Sequence, residues 1–328
     1  MKAKLFLKEN KYILLVAFLL LFLIGISFYQ YFKEHYGYRT YYYQVKEECT
    51  NKKNKTSQLC SRFLDNKDSS GHVVSYEYAL GNYLEAHDPK KNFEALDAVT
   101  LTSEIVENTH FSLLQFLSPL FICIAVVGTI HREFRSGIMY HYSTRMKFQT
   151  YFKKCMKKIG LIGLLIPSSL LIVFLLSLLI TNGQFHIAES TKNLAVYFDW
   201  KYNHFLLYGS MICFIQWILS MCYGLIAFVC CFQNKSSLVS MILGYVFNLI
   251  MILIISILFY GLLLNKLFGM TELSEYFNLT GYFFFNQPMN YFVLCGIPIL
   301  LLVLLFGYVY LNYHKKAKVF LCYEKQMG

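Results

Sequence analysis

What this chain lacks narrows its chemistry first. Only 15% of its 328 residues are Asp, Glu, Lys or Arg. None of these falls in six long apolar blocks, at roughly 12–30, 111–130, 160–180, 206–232, 238–264 and 291–312. A proton relay through a membrane needs intramembrane acids, so their absence argues against proton-coupled transport. There is no G-x-x-x-x-G-K-[ST], so the chain does not itself cradle nucleotide phosphates in the usual way. H-E-x-x-H, G-x-S-x-G and any Cys/His array of zinc-finger spacing are missing too. With no intramembrane acid, base or metal set, a membrane enzyme is disfavoured, and the chain is expected to hold no cofactor or metal.

What is present is apolar length. Hydrophobic residues make up 56% of the chain and come in blocks separated by polar connections. A span needs ~20 apolar residues to cross a hydrocarbon core of ~30 Å. Backbone facing lipid must satisfy its own hydrogen bonds, so the blocks are expected to be helices. The fold class is therefore all-α, a polytopic membrane protein with six spans. Loop charge sets its orientation. The N-terminal segment, the 131–159 connection, Lys235 and the tail 313–328 together hold 17 basic and three acidic residues; the rest holds 13 and 16. The positive-inside rule then puts both termini and the 131–159 loop in the cytoplasm, with the chain in the cell membrane. The basic charge follows alternating loops and lacks a nucleic-acid-binding signature, so the bilayer, not nucleic acid, is its partner. The first block resembles a signal peptide in its basic start and Gly25-Ile26-Ser27, but its apolar run is long, which favours an uncleaved anchor.

The chain divides into 1–30 (N-terminus and span one), 31–110 (an external region) and 111–328 (spans two to six). An 80-residue connection is too long to be structureless. It opens on Tyr36, Tyr38, Tyr41, Tyr42 and Tyr43, residues suited to a membrane–water boundary. Residues 50–72 read as turn-rich and mobile. From 92 to 110, Phe93, Leu96, Val99, Leu101, Ile105 and Val106 recur at helical spacing. A small external helical cap is expected. Cys49 and Cys60, eleven residues apart in an oxidising compartment, either pin it as a disulfide or remain thiols. The other eight Cys read as small buried hydrophobes. A short interfacial helix is expected within 181–205. The 265–290 connection is too apolar for a free loop and too interrupted for a span, which suggests a re-entrant element before the last span. Gln115, Ser118, Gln216, Ser220, Asn248 and Ser256 are polar groups inside spans, where helix–helix hydrogen bonding is their ordinary use. His131 and His141 flank the basic loop and read as cytosolic surface residues.

The 131–158 segment has an internal order: Glu133, then Gly137 four residues on, a mixed stretch over about 134–145, Arg145, and a Lys run entering span three. It resembles the cytoplasmic loop of permease subunits of the type-two class of ABC exporters. That loop carries an acid, a Gly, an amphipathic coupling helix, an Arg and a Lys, matched here by Glu133, Gly137, the 134–145 stretch, Arg145, and Lys153 or Lys154. Six spans, internal termini and a re-entrant element also look like that family, whereas many short members lack the large 31–110 region. The resemblance implies a membrane subunit of an ATP-driven exporter. It implies separate ATPase subunits, which would bring ATP and Mg, and a second permease copy, identical or not. Ile138, Met139, Tyr140 and Tyr142 would supply the loop's apolar contact, and Arg135 and Arg145 would pair with acids on the motor. A substrate path along the interface between permeases would draw on Leu14, Leu15, Phe18, Leu21 and Phe22 of span one. Gln115 and Ser118 of span two and Asn248 of span five would join it. Such a lining suits an amphipathic peptide, a lipid or a drug-like molecule. The competing class is a membrane-embedded antimicrobial-peptide sensor or immunity protein without transport.

Overall fold

The computed structural model describes residues 10–50, 59–63, 75–88, 97–107, 109–135, 148–185, 205–234, 236–257 and 291–313, with 266, 267 and 269. Nine α-helices carry these residues: α1 Lys11–Thr50, α2 Tyr76–Ala86, α3 Ala98–Glu107, α4 Thr109–Arg135, α5 Phe148–Gly163, α6 Leu165–Ile180, α7 Phe205–Gln233, α8 Ser237–Leu253 and α9 Tyr291–Tyr313. No strand occurs among the described residues. Six helical stretches are long and apolar enough to cross a membrane: α1, α4, α5 with α6, α7, α8 and α9. Apart from 266, 267 and 269, the re-entrant element expected at 265–290 lies outside the described residues, as does most of the turn-rich 50–72 segment.

The centre of the bundle is α7. It packs against α4, α5, α6, α8 and α9, and 67% of its spanning window is buried against 11% for α9. Tyr208, Tyr223 and Phe228 of α7 are fully enclosed. The fifth and sixth helices form one span with a break. Pro167 has no N–H to offer Gly163, and its ring crowds that carbonyl, so the α-helical ladder cannot run through. Leu164 N–H instead bonds Leu161 O at 3.2 Å, a tighter turn. The Gly160 carbonyl released by that shift accepts the Trp217 indole N–H at 2.8 Å. The second span, α4, contains Pro119 and still runs as one helix.

The eighth helix meets the bundle on a narrow seam. Its buried residues are Ser240, Gly244 and Asn248, one turn apart, while Ile242, Val246, Phe247 and Ile250 are exposed. A Cβ on Gly244 would lie 3.2 Å from Cys123 Sγ and 3.4 Å from the Ala227 Cα, so glycine is what lets α8 approach α4 and α7. The Asn248 amide crosses this seam, donating to Gly244 O at 2.8 Å and Tyr223 O at 3.3 Å, with Cys123 Sγ at 3.4 Å. Small residues that bring backbones close, joined by interhelical polar bonds, are how helices associate where lipid removes the hydrophobic drive.

The first helix is 40 residues long. At 1.5 Å per residue it extends ~60 Å, about twice a hydrocarbon core. Span one and the start of the 31–110 region are therefore a single rod. At its far end Val45, Cys49, Cys60, Phe63, Tyr76, Ala79 and Leu80 form a second apolar cluster. A disulfide joins Cys49 to Cys60. Tyr76 hydroxyl donates to Cys49 O at 3.0 Å, and Tyr42 hydroxyl to Leu84 O at 3.3 Å. These bonds hold α2 against the rod. Ser75 starts α2 by accepting the Tyr78 N–H.

The helix expected over 92–110 is seen as α3, which ends short of α4. Asp97 caps it by accepting Thr100 N–H at 2.7 Å, and Val99, Leu101, Ile105 and Val106 join the main core. Ala98 N–H bonds Gln184 O, just past the turn where Asn182 and Gly183 take positive φ and close α6. The expected short helix between α6 and α7 has no described counterpart, since residues 186–204 lie outside the described set.

At the near end of α1, Tyr12 lays its ring on Gly128 of α4, where even a methyl group would collide with the ring carbons. Gly128→Ala is expected to cost about 1–3 kcal/mol through overpacking. Thermal unfolding of the detergent-solubilised chain measures this. Adding Tyr12→Ala should remove part of that cost, because residues in contact are non-additive. Strictly additive losses would mean that Tyr12 and Gly128 do not share this contact.

Candidate functional site

The helix ends sort into two groups. The start of α1, the end of α4, the start of α5, the α7–α8 turn and the end of α9 lie together. The links are Tyr12 on Gly128, Glu133 with Lys158, His131 with the Asn234 carbonyl, and Phe152 between Phe228 and Tyr310. These are the ends from which the Lys- and Arg-rich segments lead. At the opposite end α3 meets the turn after α6, and Phe205 of α7 packs on Phe174 and Phe185.

At the basic end, Glu133 sits in the last turn of α4 and is largely covered, its side chain 14% exposed. It forms an ion pair with Lys158 of α5 and accepts the Tyr151 hydroxyl at 3.4 Å. The sequence pattern makes this geometry. Tyr151, Cys155, Ile159 and Ile162 fall on the inner side of α5, and Lys153 and Lys157 on the outer side. Lys158 stands between the two sides, where its stem is covered and its ammonium reaches Glu133. His131, one turn before Arg135, is buried and donates Nε2–H to Asn234 O at 3.3 Å. Asn234 in turn donates its amide to Cys230 O at 3.0 Å. The end of α4 is thus fastened to α5 on one side and to the α7–α8 turn on the other.

This arrangement alters several sequence-based placements. Glu133 is a brace between two helices rather than a group standing free for a partner. The lysine it pairs with is Lys158, within the Lys run entering span three. His131 is a core residue of the bundle end rather than a surface histidine; periodicity hides this, because burial here comes from the α7–α8 turn a hundred residues away. Arg135 ends α4, with its side chain outside the description. Gly137, Ile138, Met139, Tyr140, Tyr142 and Arg145 lie outside the described residues. The residues that sequence reasoning missed are Tyr151, Lys158 and Asn234, and the signal for the first two was the 3.6-residue pattern of α5.

The residues named for a substrate path separate as well. Leu14, Leu15, Phe18, Leu21 and Phe22 of α1 are exposed along one stretch. Ser118 and Asn248 are fully buried between helices of the same chain. The hydrogen bonds of Asn248 are the ordinary helix–helix use expected of a polar group inside a span. Gln115 is in α4, with its side chain outside the description. Gln216 and Ser220 of α7 are buried with no hydrogen-bond partner for their side-chain polar atoms. No group of three or more metal-ligating side chains occurs among the described residues.

No protein-family model, curated protein or solved structure matches this chain.

Proposed function

We propose that this chain is the membrane subunit of an ATP-driven exporter, with its basic end in the cytoplasm of a cell-membrane protein. The observation that carries the reading is the braced bundle end. The 136–147 connection leaves from α4 and returns into α5, and those two helices are tied by Glu133, Lys158 and Tyr151. A motor that changes shape can transmit force only through an element held rigidly at its base. Separate ABC-type ATPase subunits would dock on this connection and supply ATP hydrolysis. The exposed apolar faces of α1, α8 and α9 would meet lipid and a second permease copy. The cluster closed by Cys49–Cys60 would be an external cap, and 265–290 a re-entrant element on the same side. An amphipathic peptide, lipid or drug-like molecule fits the apolar exposed face of α1.

A second reading has one observation in its favour. A disulfide-pinned cluster on a long rod is also what a sensor of external peptides would use, and such a protein needs no motor. One experiment separates them: purify the intact tagged chain from its native membrane in mild detergent. The exporter reading expects a stoichiometric subunit carrying a nucleotide-binding P-loop, with ATPase activity in the complex. Recovery of the chain without any such subunit favours the sensor.

A further inference from the structure

The break between α5 and α6 falls near the middle of the apolar stretch Gln149–Ile180, where lipid offers no hydrogen bonds. Helix α7 lies along it at three levels. Gly160 O accepts the Trp217 indole N–H at 2.8 Å, a Cβ on Gly163 would lie 3.5 Å from the Ser220 Cβ, and Pro167 O accepts the Cys213 thiol at 3.9 Å. Two polar side chains of α7 stand in this stretch, Gln216 and Ser220, one turn apart and so on one side of the helix. Each is 1% exposed, and neither the Gln216 amide atoms nor the Ser220 hydroxyl has a hydrogen-bond partner in the protein. We propose that the break holds buried water, bonded by Gln216, Ser220 and the Gly163 carbonyl, which Pro167 leaves without its helical donor.

Elsewhere in the bundle, Ser27, Thr129 and Ser169 satisfy their hydroxyls on a carbonyl three or four residues back in their own helix. Ser220 does not, and a buried hydroxyl or amide ordinarily has a partner. The chemistry of the pair selects water over a cation. Gln216 brings both donors and an acceptor, and the Ser220 hydroxyl serves as either. A cation would satisfy only the oxygens and leave the Gln216 amide N–H groups unmet. No Asp or Glu lies in the six apolar blocks to balance a charge at this depth. Only a small molecule reaches groups this buried, and a buried water takes about two to four polar partners, which Gln216, Ser220 and Gly163 supply. Ordered water is also one of the ways in which a proline break in a spanning helix satisfies the backbone groups it frees.

X-ray radiolysis tests this, because a water ionised in place oxidises the side chains beside it even where bulk solvent does not reach. The full chain is irradiated in nanodiscs of phosphatidylcholine, and oxidation is read by mass spectrometry at Trp217 and Met221, whose side chains both lie against Gly163. Met241 and Met251 of α8, partly buried in the same bundle, give the background. Corrected for intrinsic reactivity, Trp217 and Met221 should oxidise faster than Met241 and Met251. Gln216→Leu with Ser220→Ala should lower the rates at Trp217 and Met221 severalfold and leave Met241 and Met251 unchanged. Ser220→Ala alone removes a single oxygen and should lower them in part. Thermal unfolding reports whether each variant is folded. Rates at Trp217 and Met221 no higher than the background overturn the proposal. So do unaltered rates in the double variant, or in Ser220→Ala where the double variant does not fold. The assay contains no ATPase, so its outcome is independent of the exporter reading.

Discussion

Replacing Glu133 with Gln should lower stability and loosen the basic end of the bundle, and replacing Lys158 with Met should do nearly the same. The magnitude follows from exposure. Exposed ion pairs contribute ~0–1 kcal/mol, whereas removing one partner of a buried pair costs ~3–5. Glu133 and Lys158 are 14% and 26% exposed, so each single change should cost about 2 kcal/mol. The double variant should cost clearly less than the sum, because the second change removes the charge that the first left stranded. Thermal unfolding in detergent measures all three. The functional readout discriminates further. If Glu133 acts as a brace, Glu133→Gln and Lys158→Met should impair ATPase docking to the same degree. If Glu133 instead touches the motor directly, only Glu133→Gln should impair it, and the brace would be refuted.

Much of the architecture was legible because lipid leaves few options. Apolar blocks free of charge had to be helices, and three of the six, 111–130, 206–232 and 291–312, lie within five residues of the limits of α4, α7 and α9. The exceptions are instructive. The first block ended at 30 by hydropathy, yet α1 runs to Thr50, because helical backbone continues in water when an apolar stripe persists. Tyr31, Tyr42, Val45 and Cys49 are its buried residues beyond that point. Hydropathy measures the solvent, not the end of the helix. The break at Leu164 is invisible to hydropathy for the opposite reason, since the solvent stays lipid while Pro167 interrupts the backbone.

The candidate site was less legible. The Glu–Gly–Arg–Lys order marks the segment, but it could not say that Lys158 rather than Lys153 turns inward. That depends on the phase of α5, set by Tyr151, Cys155 and Ile159 packing on the bundle. Asn248 was ambiguous by sequence, because polarity inside a span looks the same whether it faces a substrate or another helix. The spacing Ser240, Gly244, Asn248 held the answer: small residues at every fourth position make a seam between helices.

The largest functional loss is expected within the 136–147 connection, on which the exporter proposal rests most heavily. Tyr140→Ala should weaken docking of the motor by removing an aromatic anchor, the kind of contact whose loss costs ≥ ~2 kcal/mol at interfaces. Gly137→Leu should add bulk where an approaching subunit needs space. Arg145→Glu should set an acid against the acids of the motor that Arg145 would pair with, with an effect that shrinks at high salt as the charges are screened. All three residues lie beyond the end of α4 and before α5, outside the six spans. The variants should therefore reach the membrane and unfold at the wild-type temperature, unlike Glu133→Gln and Lys158→Met. Reconstitution with the ATPase measures hydrolysis and export for each. A ~10-fold or greater fall in both together, at unchanged thermal stability, is what a coupling element requires, since a contact of that size carries at least a factor of ten in the equilibrium. Normal hydrolysis and transport in all three variants would reduce the connection to a cytoplasmic anchor, and the exporter reading would lose its principal support.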